Sequence, residues 1–148
     1  MTAQGEDILA YLDRAISQYE ETARAASESD KWTTRSTCWK PENSPSTGAW
    51  VSDEFDGIVV FGDGHPSEAQ SIHIALHDPE SVLRRCAADR KLINLHQPDG
   101  WTCKVCANEE QADENSEGEY HWSRPGLAFP CPTIEALAEG YGWTEGER

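Results

Sequence analysis

The sequence has little apolar surface and no long hydrophobic run. Of its 148 residues, 37% are hydrophobic, and the mean hydropathy is −0.69. No apolar run approaches the roughly 18 to 20 residues that a membrane helix needs, and the N-terminus lacks the basic-then-apolar order of a secretory signal. We therefore expect a cytoplasmic protein with no membrane partner. The length fits a single domain over residues 1–148.

The sequence motifs of several enzyme classes are also missing. There is no GxSxG nucleophile elbow, no Walker glycine loop and no dinucleotide fingerprint. A zinc nucleobase deaminase would need a His-x-Glu element and a proline before its Cys-x-x-Cys pair, and neither accompanies Cys103 and Cys106. We therefore predict that the protein is not an enzyme, and no small-molecule substrate is indicated.

Basic residues are scarce. Twelve Lys and Arg stand against 27 Asp and Glu, so the net charge is −15. Such a chain repels phosphate backbones at long range, which disfavours nucleic acid as a partner. The densest basic group, Arg84, Arg85, Arg90 and Lys91, fits a solvated helix face better than a phosphate site. The charge instead favours a protein partner with a basic surface.

Helices are predicted from apolar spacing and from end signals. Apolar residues at three-to-four spacing predict an amphipathic helix from Glu6 to Ala26. Ser67 can cap a short helix that runs through Leu76, and Asp78-Pro79 is a helix start that predicts a third helix from Pro79 to about His96. For the last helix we expect a cap at Thr133 and an end at Gly140.

Strands and loops are predicted from turn formers and β-branched residues. We expect an irregular strand within residues 30–43, a loop over 41–48, short antiparallel strands at 49–51 and 57–62, and a turn over 62–66. The acidic stretch over about 107–120 predicts a mobile loop, and residues 144–148 a frayed tail. The fold class is α+β: the N-terminal and central helices pack on a small antiparallel sheet, and a zinc knuckle anchors a short C-terminal helix.

The cysteines predict a structural zinc site. Cys103 and Cys106 form a Cys-x2-Cys pair, which supplies two zinc ligands from one tight turn. Cys131, flanked by two prolines, is the favoured third thiolate. For the fourth ligand we choose His96, which ends the third helix seven residues before Cys103, with His121 as the alternative. Unliganded reduced cysteines and a redox pair are the competing interpretations.

Two other groups of residues admit a functional interpretation. His73 and His77 lie on one helical face, as in a zinc hydrolase, but isoleucine stands at position 74 where the HExxH motif has its general-base glutamate. Packing roles are favoured, and a metal-dependent hydrolase that uses this pair is an alternative. Trp101 and Trp122 could form a recognition surface, but we expect them to pack around the metal knuckle.

Several of these motifs together resemble a known family. They are His73-Ile-Ala-x-His77-Asp-Pro79, the Cys-x2-Cys pair, and Pro130-Cys-Pro-Thr133. The chain resembles a family of small proteins from actinobacteria and their phages that is catalogued only as a domain of unknown function. The resemblance implies that His96, Cys103, Cys106 and Cys131 belong together, and it implies no activity.

The predicted function is that of a non-enzymatic, zinc-stabilised accessory or regulatory protein that acts by protein–protein interaction. One concrete version is a phage-encoded modulator of a host factor in the host cytoplasm. The first alternative is a DNA mimic that inhibits a DNA-binding protein, in which carboxylates stand in for phosphates. The second is the hydrolase that would use His73 and His77.

Overall fold

The fold is given by a computed structural model that describes residues 3–28, 36–60, 66–107, 111–114, 118–123 and 126–144. Within these ranges the helices are α1 (Ala3–Ser27), α2 (Glu68–Leu76), α3 (Pro79–Leu95) and α4 (Pro132–Gly140). The strands are β1 (Trp39–Ser44), β2 (Gly48–Asp53), β3 (Ile58–Val60), β4 (Pro98–Asp99), β5 (Thr102–Ala107), β6 (Gln111–Glu114), β7 (Tyr120–Ser123) and β8 (Gly126–Ala128). The predicted α+β class is confirmed. In the described part of the chain, no helix is long and apolar enough to cross a membrane.

The chain divides into two compact units. The central unit is Ser17–Ala87, and the C-terminal unit combines Met1–Ile16 with Ala88–Arg148. The assignment of residues 1–148 to one domain stays a prediction. The predicted frayed tail lies outside the described residues from position 145 onward.

The central unit contains the antiparallel sheet β1-β2-β3. The strands expected at 49–51 and 57–62 are confirmed as β2 and β3, whereas positions 61–65 of the expected strand end and turn lie outside the described residues. The expected loop over 41–48 is wrong for its first half, because β1 continues to Ser44. Pro41 is tolerated there since β1 is an edge strand of the sheet, where a missing N–H donor costs little.

The helices of the central unit begin at the predicted residues. Ser67 Oγ accepts from the Gln70 amide at 3.3 Å, and Gln70 Oε1 accepts from the Ser67 amide at 2.8 Å, which completes a capping box at the start of α2. Asp78 caps α3, since its Oδ1 accepts from the Ser81 amide at 2.7 Å. Both predicted starts are confirmed.

The C-terminal unit contains the sheet β4-β5-β8 and the separate pair β6-β7. Strands β4 and β5 form a hairpin in which Asp99 pairs with Thr102. Its turn uses Gly100 at φ +63°, a conformation that the first central position of a II′ turn requires. The expected loop over 107–120 is wrong for residues 111–114, which form β6 and pair antiparallel with β7. Composition alone missed this strand because its partner lies further along the chain.

Helix α4 ends at Gly140, as predicted, but the residues that cap its two ends differ from the prediction. Its N-cap is Cys131, with Pro132 at the first helical position, so the expected cap at Thr133 is wrong. At the other end, Gly142 adopts φ +94°, and its amide and that of Trp143 donate to the carbonyls of Glu139 and Ala138, both at 2.9 Å. This is a Schellman motif, and it makes Gly142 rather than Gly140 the terminating glycine.

The core of the C-terminal unit is small and packs α1 and α4 against β5. Its fully buried members are Ile8, Leu12, Cys103, Phe129, Cys131, Ile134 and Ala138. Around it, the Tyr11 hydroxyl donates to the Tyr141 carbonyl at 2.7 Å, and the Tyr141 hydroxyl donates to Asp89 at 2.7 Å. The rings of Tyr11 and Trp143 meet edge to face, 4.9 Å apart. Two cysteines thus belong to the hydrophobic core itself.

Candidate metal centre

Three elements of the C-terminal unit position the four side chains of the candidate metal centre. His96 directly follows α3, and its amide donates to the Leu92 carbonyl at 2.9 Å, so the last turn of the helix fixes it. Cys103 and Cys106 lie on β5. Cys131 is the N-cap of α4, with an extended backbone and no cap hydrogen bond from its side chain. The structure thus brings together the four residues predicted as zinc ligands.

The four ligand atoms form a compact group. All lie within 4.8 Å of one another, and His96 Nδ1 is 3.4 Å from the sulfur of Cys103 and 3.5 Å from those of Cys106 and Cys131. Zn–S bonds of about 2.3 Å and a Zn–N bond of about 2.0 Å in a tetrahedron place nitrogen and sulfur about 3.5 Å apart. A single ring N–H cannot serve three sulfurs equally. The spacing therefore fits one central ion better than a set of hydrogen bonds.

The pairing of β5 with β8 is interrupted around Cys103 and Cys106. Its register against β8 shifts between Thr102, opposite Ala128, and Ala107, opposite Gly126. The extra residues of β5 bulge out, as expected where a strand has to aim side chains at one point. Cys103 and Cys106 frame this bulge. The bulge is the knuckle that lets two sulfurs three residues apart face the same point.

The surroundings of Cys103 favour its thiolate. Burial opposes ionisation, but hydrogen bonds from the amides of Cys106 and Val105, and those with the side chains of His96 and Cys131, lower the pKa of Cys103 from 9.0 to about 7. Cys106 differs, because burial and the neighbouring sulfurs of Cys103 and Cys131 raise its pKa to about 11. Three thiolates this close together repel one another strongly unless a cation lies among them. A divalent ion would remove that conflict.

The centre is enclosed by protein. Cys103 and Cys131 are completely buried and belong to the hydrophobic core, while His96 and Cys106 are half-buried at its edge. Two of the ligands lie among Ile8, Leu12, Phe129, Ile134 and Ala138. A metal held here would be the polar centre of an otherwise apolar cluster.

Other predicted residues lie elsewhere. Among the described residues, the candidate metal centre is the one group of three or more His, Cys, Asp or Glu side chains placed to hold a metal. His73 and His77 therefore belong to no such group. Their rings are 4.5 Å apart, and both are exposed. The side chains of His121 and Trp122 lie outside the described residues. The expected packing of Trp101 around the knuckle is wrong: it is 71% exposed, because it lies at the tip of the β4–β5 hairpin.

Sequence reasoning missed two features that matter for function. One is the pair of amide donors to Cys103, from Val105 and Cys106, which the Cys-x2-Cys spacing itself could have indicated since such a turn points its amides at the first sulfur. The other is a cavity in the central unit, whose walls come from distant parts of the chain and which no local pattern reveals.

Comparison with known proteins places the chain in a family. A family model described as "Family of unknown function (DUF6221)" matches residues 5–142. The chain belongs to DUF6221. The expected membership of a family of unknown function is thereby confirmed, and the matched range of DUF6221 includes all four residues of the candidate metal centre. No curated protein and no solved structure matches the chain.

Proposed function

We propose that this DUF6221 chain is a non-enzymatic accessory or regulatory protein that a structural zinc ion stabilises and that acts by binding another protein. The observation that carries the proposal is the closed centre of one histidine and three cysteines in the core of the C-terminal unit. Four protein ligands fill a tetrahedral zinc site, whereas a catalytic zinc keeps one position open for water or substrate. The centre therefore suits a structural role.

Zinc is the metal that best suits this donor set. Thiolate and neutral imidazole ligands in a tetrahedron are typical of zinc, and carboxylates, which would favour harder cations, are absent from the group. Three thiolates and one Zn²⁺ leave the centre at a net charge of about −1. The ion thus joins the knuckle to α4. It also neutralises most of the negative charge of the buried thiolates.

The proposed partner is a protein with a basic surface. A net charge of −15 steers an acidic chain toward such a surface and speeds the encounter at low salt. A phage-encoded modulator that meets a host factor in the host cytoplasm is the concrete version. A DNA mimic is the second candidate, favoured by the same charge. It predicts a DNA-binding partner that duplex DNA displaces from the chain.

The hydrolase alternative has less support. The His77 ring nitrogen Nδ1 is 2.9 Å from the His73 carbonyl, so this nitrogen donates to the backbone. The His77 ring would then offer a metal its Nε2 atom alone. In the described residues no third metal-ligating side chain joins them, and Ile74 stands where a general base would be needed.

Capture from host lysate tests the proposal. Tagged wild-type protein, loaded with zinc, is incubated with lysate at low and high salt, and retained proteins are identified by mass spectrometry. We expect an enriched basic protein whose retention falls at high salt, and displacement by duplex DNA would identify the DNA-mimic version. The matched control is Cys131→Ser, which should lose the ion. No enrichment at either salt concentration would contradict the proposal.

A further inference from the structure

The central unit contains a cavity that the metal centre does not use. Its volume is about 610 Å³, within the range of about 300–1,000 Å³ typical of ligand sites. The C-terminal half of α1 forms one wall. There Tyr19 is followed one and two turns later by Ala23 and Ala26, whose small side chains leave the space open. Trp39 of β1 and His77, the C-cap of α2, line it as well.

Hydrogen bonds hold these walls in place. The Trp39 amide donates to Asp78 Oδ2 at 3.3 Å, and the Glu80 amide donates to the Thr37 carbonyl at 3.0 Å, so the start of β1 is tied to the corner between α2 and α3. His77 is fixed by its bond to the His73 carbonyl. The backbone at Trp39 and the ring of His77 are therefore held in place before any ligand arrives, which lowers the entropic cost of binding.

The polar side chains in the walls offer both kinds of group: the Trp39 indole N–H donates, the Gln18 amide and the Tyr19 hydroxyl can do either, and His77 and Thr22 supply acceptors. Because a carbonyl can only accept, His77 Nδ1 is the donor in its contact with the His73 carbonyl, and Nε2 of the neutral ring keeps a lone pair. The Thr22 hydroxyl gives its hydrogen to the Gln18 carbonyl at 2.8 Å and keeps its oxygen lone pairs. No Lys or Arg occurs among the described residues that line the cavity. A ligand that brings several donors can bind to the acceptors of His77 and Thr22 together.

The carboxylate of Asp78 and the aromatic rings in the wall indicate which chemical group carries the donors of the ligand. Asp78, 8% exposed, lies between the wall residues His77 and Pro79, and its hydrogen bonds come from neutral backbone amides. A buried carboxylate whose two chain neighbours line the cavity favours a cation there over an anion. Tryptophan and tyrosine rings bind cations over their faces, and arginine more often than lysine. A planar guanidinium can stack on a ring and still donate to several acceptors.

We propose that this cavity receives an arginine side chain of the protein partner, with its guanidinium against Trp39 and Tyr19 and its N–H groups directed to His77 Nε2 and Thr22 Oγ1. The inference rests on the proposed function, because it takes the occupant to belong to that partner. It adds the partner's anchoring residue and the place where it binds.

Titration with small probes tests the site itself. Zinc-loaded, ¹⁵N-labelled wild-type protein is titrated with N-acetyl-arginine amide, and the Trp39 indole and nearby amide signals are followed by NMR. The neutral, isosteric N-acetyl-citrulline amide and the cationic N-acetyl-lysine amide serve as comparisons. We expect saturable shifts with arginine and at least tenfold weaker binding of the other two. Absence of binding, or equal binding of citrulline or lysine, would overturn the assignment.

Two substitutions on one helix provide the matched variants. Ala26→Leu fills the cavity from an exposed helical position, and Ala25→Leu adds the same side chain to the neighbouring exposed position, which does not line the cavity. Arginine binding should fall at least tenfold in Ala26→Leu and stay within twofold of wild type in Ala25→Leu. Equal behaviour of the two variants would contradict the proposed site.

Capture of the partner separates the two proposals. If wild type and Ala25→Leu retain a basic protein and Ala26→Leu does not, both are supported. If Ala26→Leu loses the arginine probe yet retains the partner as well as wild type does, the anchoring role is wrong while the proposed function stands. If wild type enriches no partner, the proposed function fails, and with it the partner's arginine as the occupant.

Discussion

Replacing Cys131 by serine should remove the zinc ion and with it much of the stability of the C-terminal unit. The sulfur of Cys131 is fully buried, 3.5 Å from His96 Nδ1, at the N-cap of α4. Serine is of similar size, so the substitution leaves the helix start in place, but a neutral hydroxyl is a poor ligand for zinc. The change is therefore directed at the metal rather than at the packing.

The expected loss follows from linkage between zinc binding and folding. An ion that binds only the folded state stabilises it by about 4.1 kcal/mol when free zinc is 1,000 times the dissociation constant. Mutation of residues that merely orient metal ligands weakens binding about 10- to 100-fold, so loss of a ligand should weaken it at least about 100-fold. At that zinc concentration Cys131→Ser then loses about 2.7 kcal/mol of the free energy of unfolding.

Urea unfolding at buffered free zinc concentrations measures this loss. The wild type should lose stability when a chelator is added, whereas Cys131→Ser should respond little. Cys38→Ser is the control, because Cys38 lies outside the metal centre and a serine hydroxyl can still donate to its partner Glu80. An unchanged unfolding midpoint in Cys131→Ser, or an equal loss in Cys38→Ser, would refute the assigned role of Cys131.

Three further predictions concern helix ends and protonation. Gly142→Ala should destabilise the protein by about 1 kcal/mol because position 142 has φ +94°. Gly140→Ala should be neutral or stabilising, because there is open space around a new Cβ at position 140. A higher melting temperature for Gly142→Ala than for Gly140→Ala would contradict the assigned helix end. Asp78→Ala removes the cap of α3 and should cost about 0.5–2 kcal/mol in urea unfolding; an unchanged midpoint would exclude that role. In metal-free protein the pKa of Cys103 is depressed from 9.0 to about 7, so its thiolate stabilises the fold fully above pH 9, and this contribution is lost as the pH falls through 7. Urea unfolding of chelated protein between pH 9 and 6 should show the decline, which Cys103→Ala should lack.

Features of the fold that depend on local interactions were predictable from sequence. The start of α2 follows from Ser67 and Gln70, which satisfy each other's backbone amides, and the start of α3 from the carboxylate of Asp78 before a proline. Each signal spans four residues or fewer, so no knowledge of the tertiary structure was needed. The apolar spacing of α1 is similarly local.

The candidate metal centre was predictable because its chemistry is restrictive. Few residue types bind zinc, and the proline-flanked Cys131 and the helix-ending His96 were the natural companions of the Cys-x2-Cys pair. Spacing could not show that two of the cysteines belong to the core. That result depends on α1, whose Ile8 and Leu12 pack against residues more than ninety positions away in the chain.

The predictions that failed concern competition between distant or overlapping signals. Strand β6 forms within an acidic stretch because it pairs with β7, which composition does not encode. Cys131 takes the cap position from Thr133 because Pro132 fits the first helical position, where the absence of an N–H costs nothing. Trp101 is exposed because the two-residue turn at Gly100 places it at a hairpin tip.

X-ray absorption at the zinc edge, on protein purified without added chelator and with its metal content measured, shows whether the four predicted ligands hold zinc. We expect one zinc ion per chain, coordinated by three sulfurs at about 2.3 Å and one nitrogen at about 2.0 Å. Protein without stoichiometric zinc, or a shell with fewer sulfurs completed by water or carboxylate oxygen, would contradict this expectation.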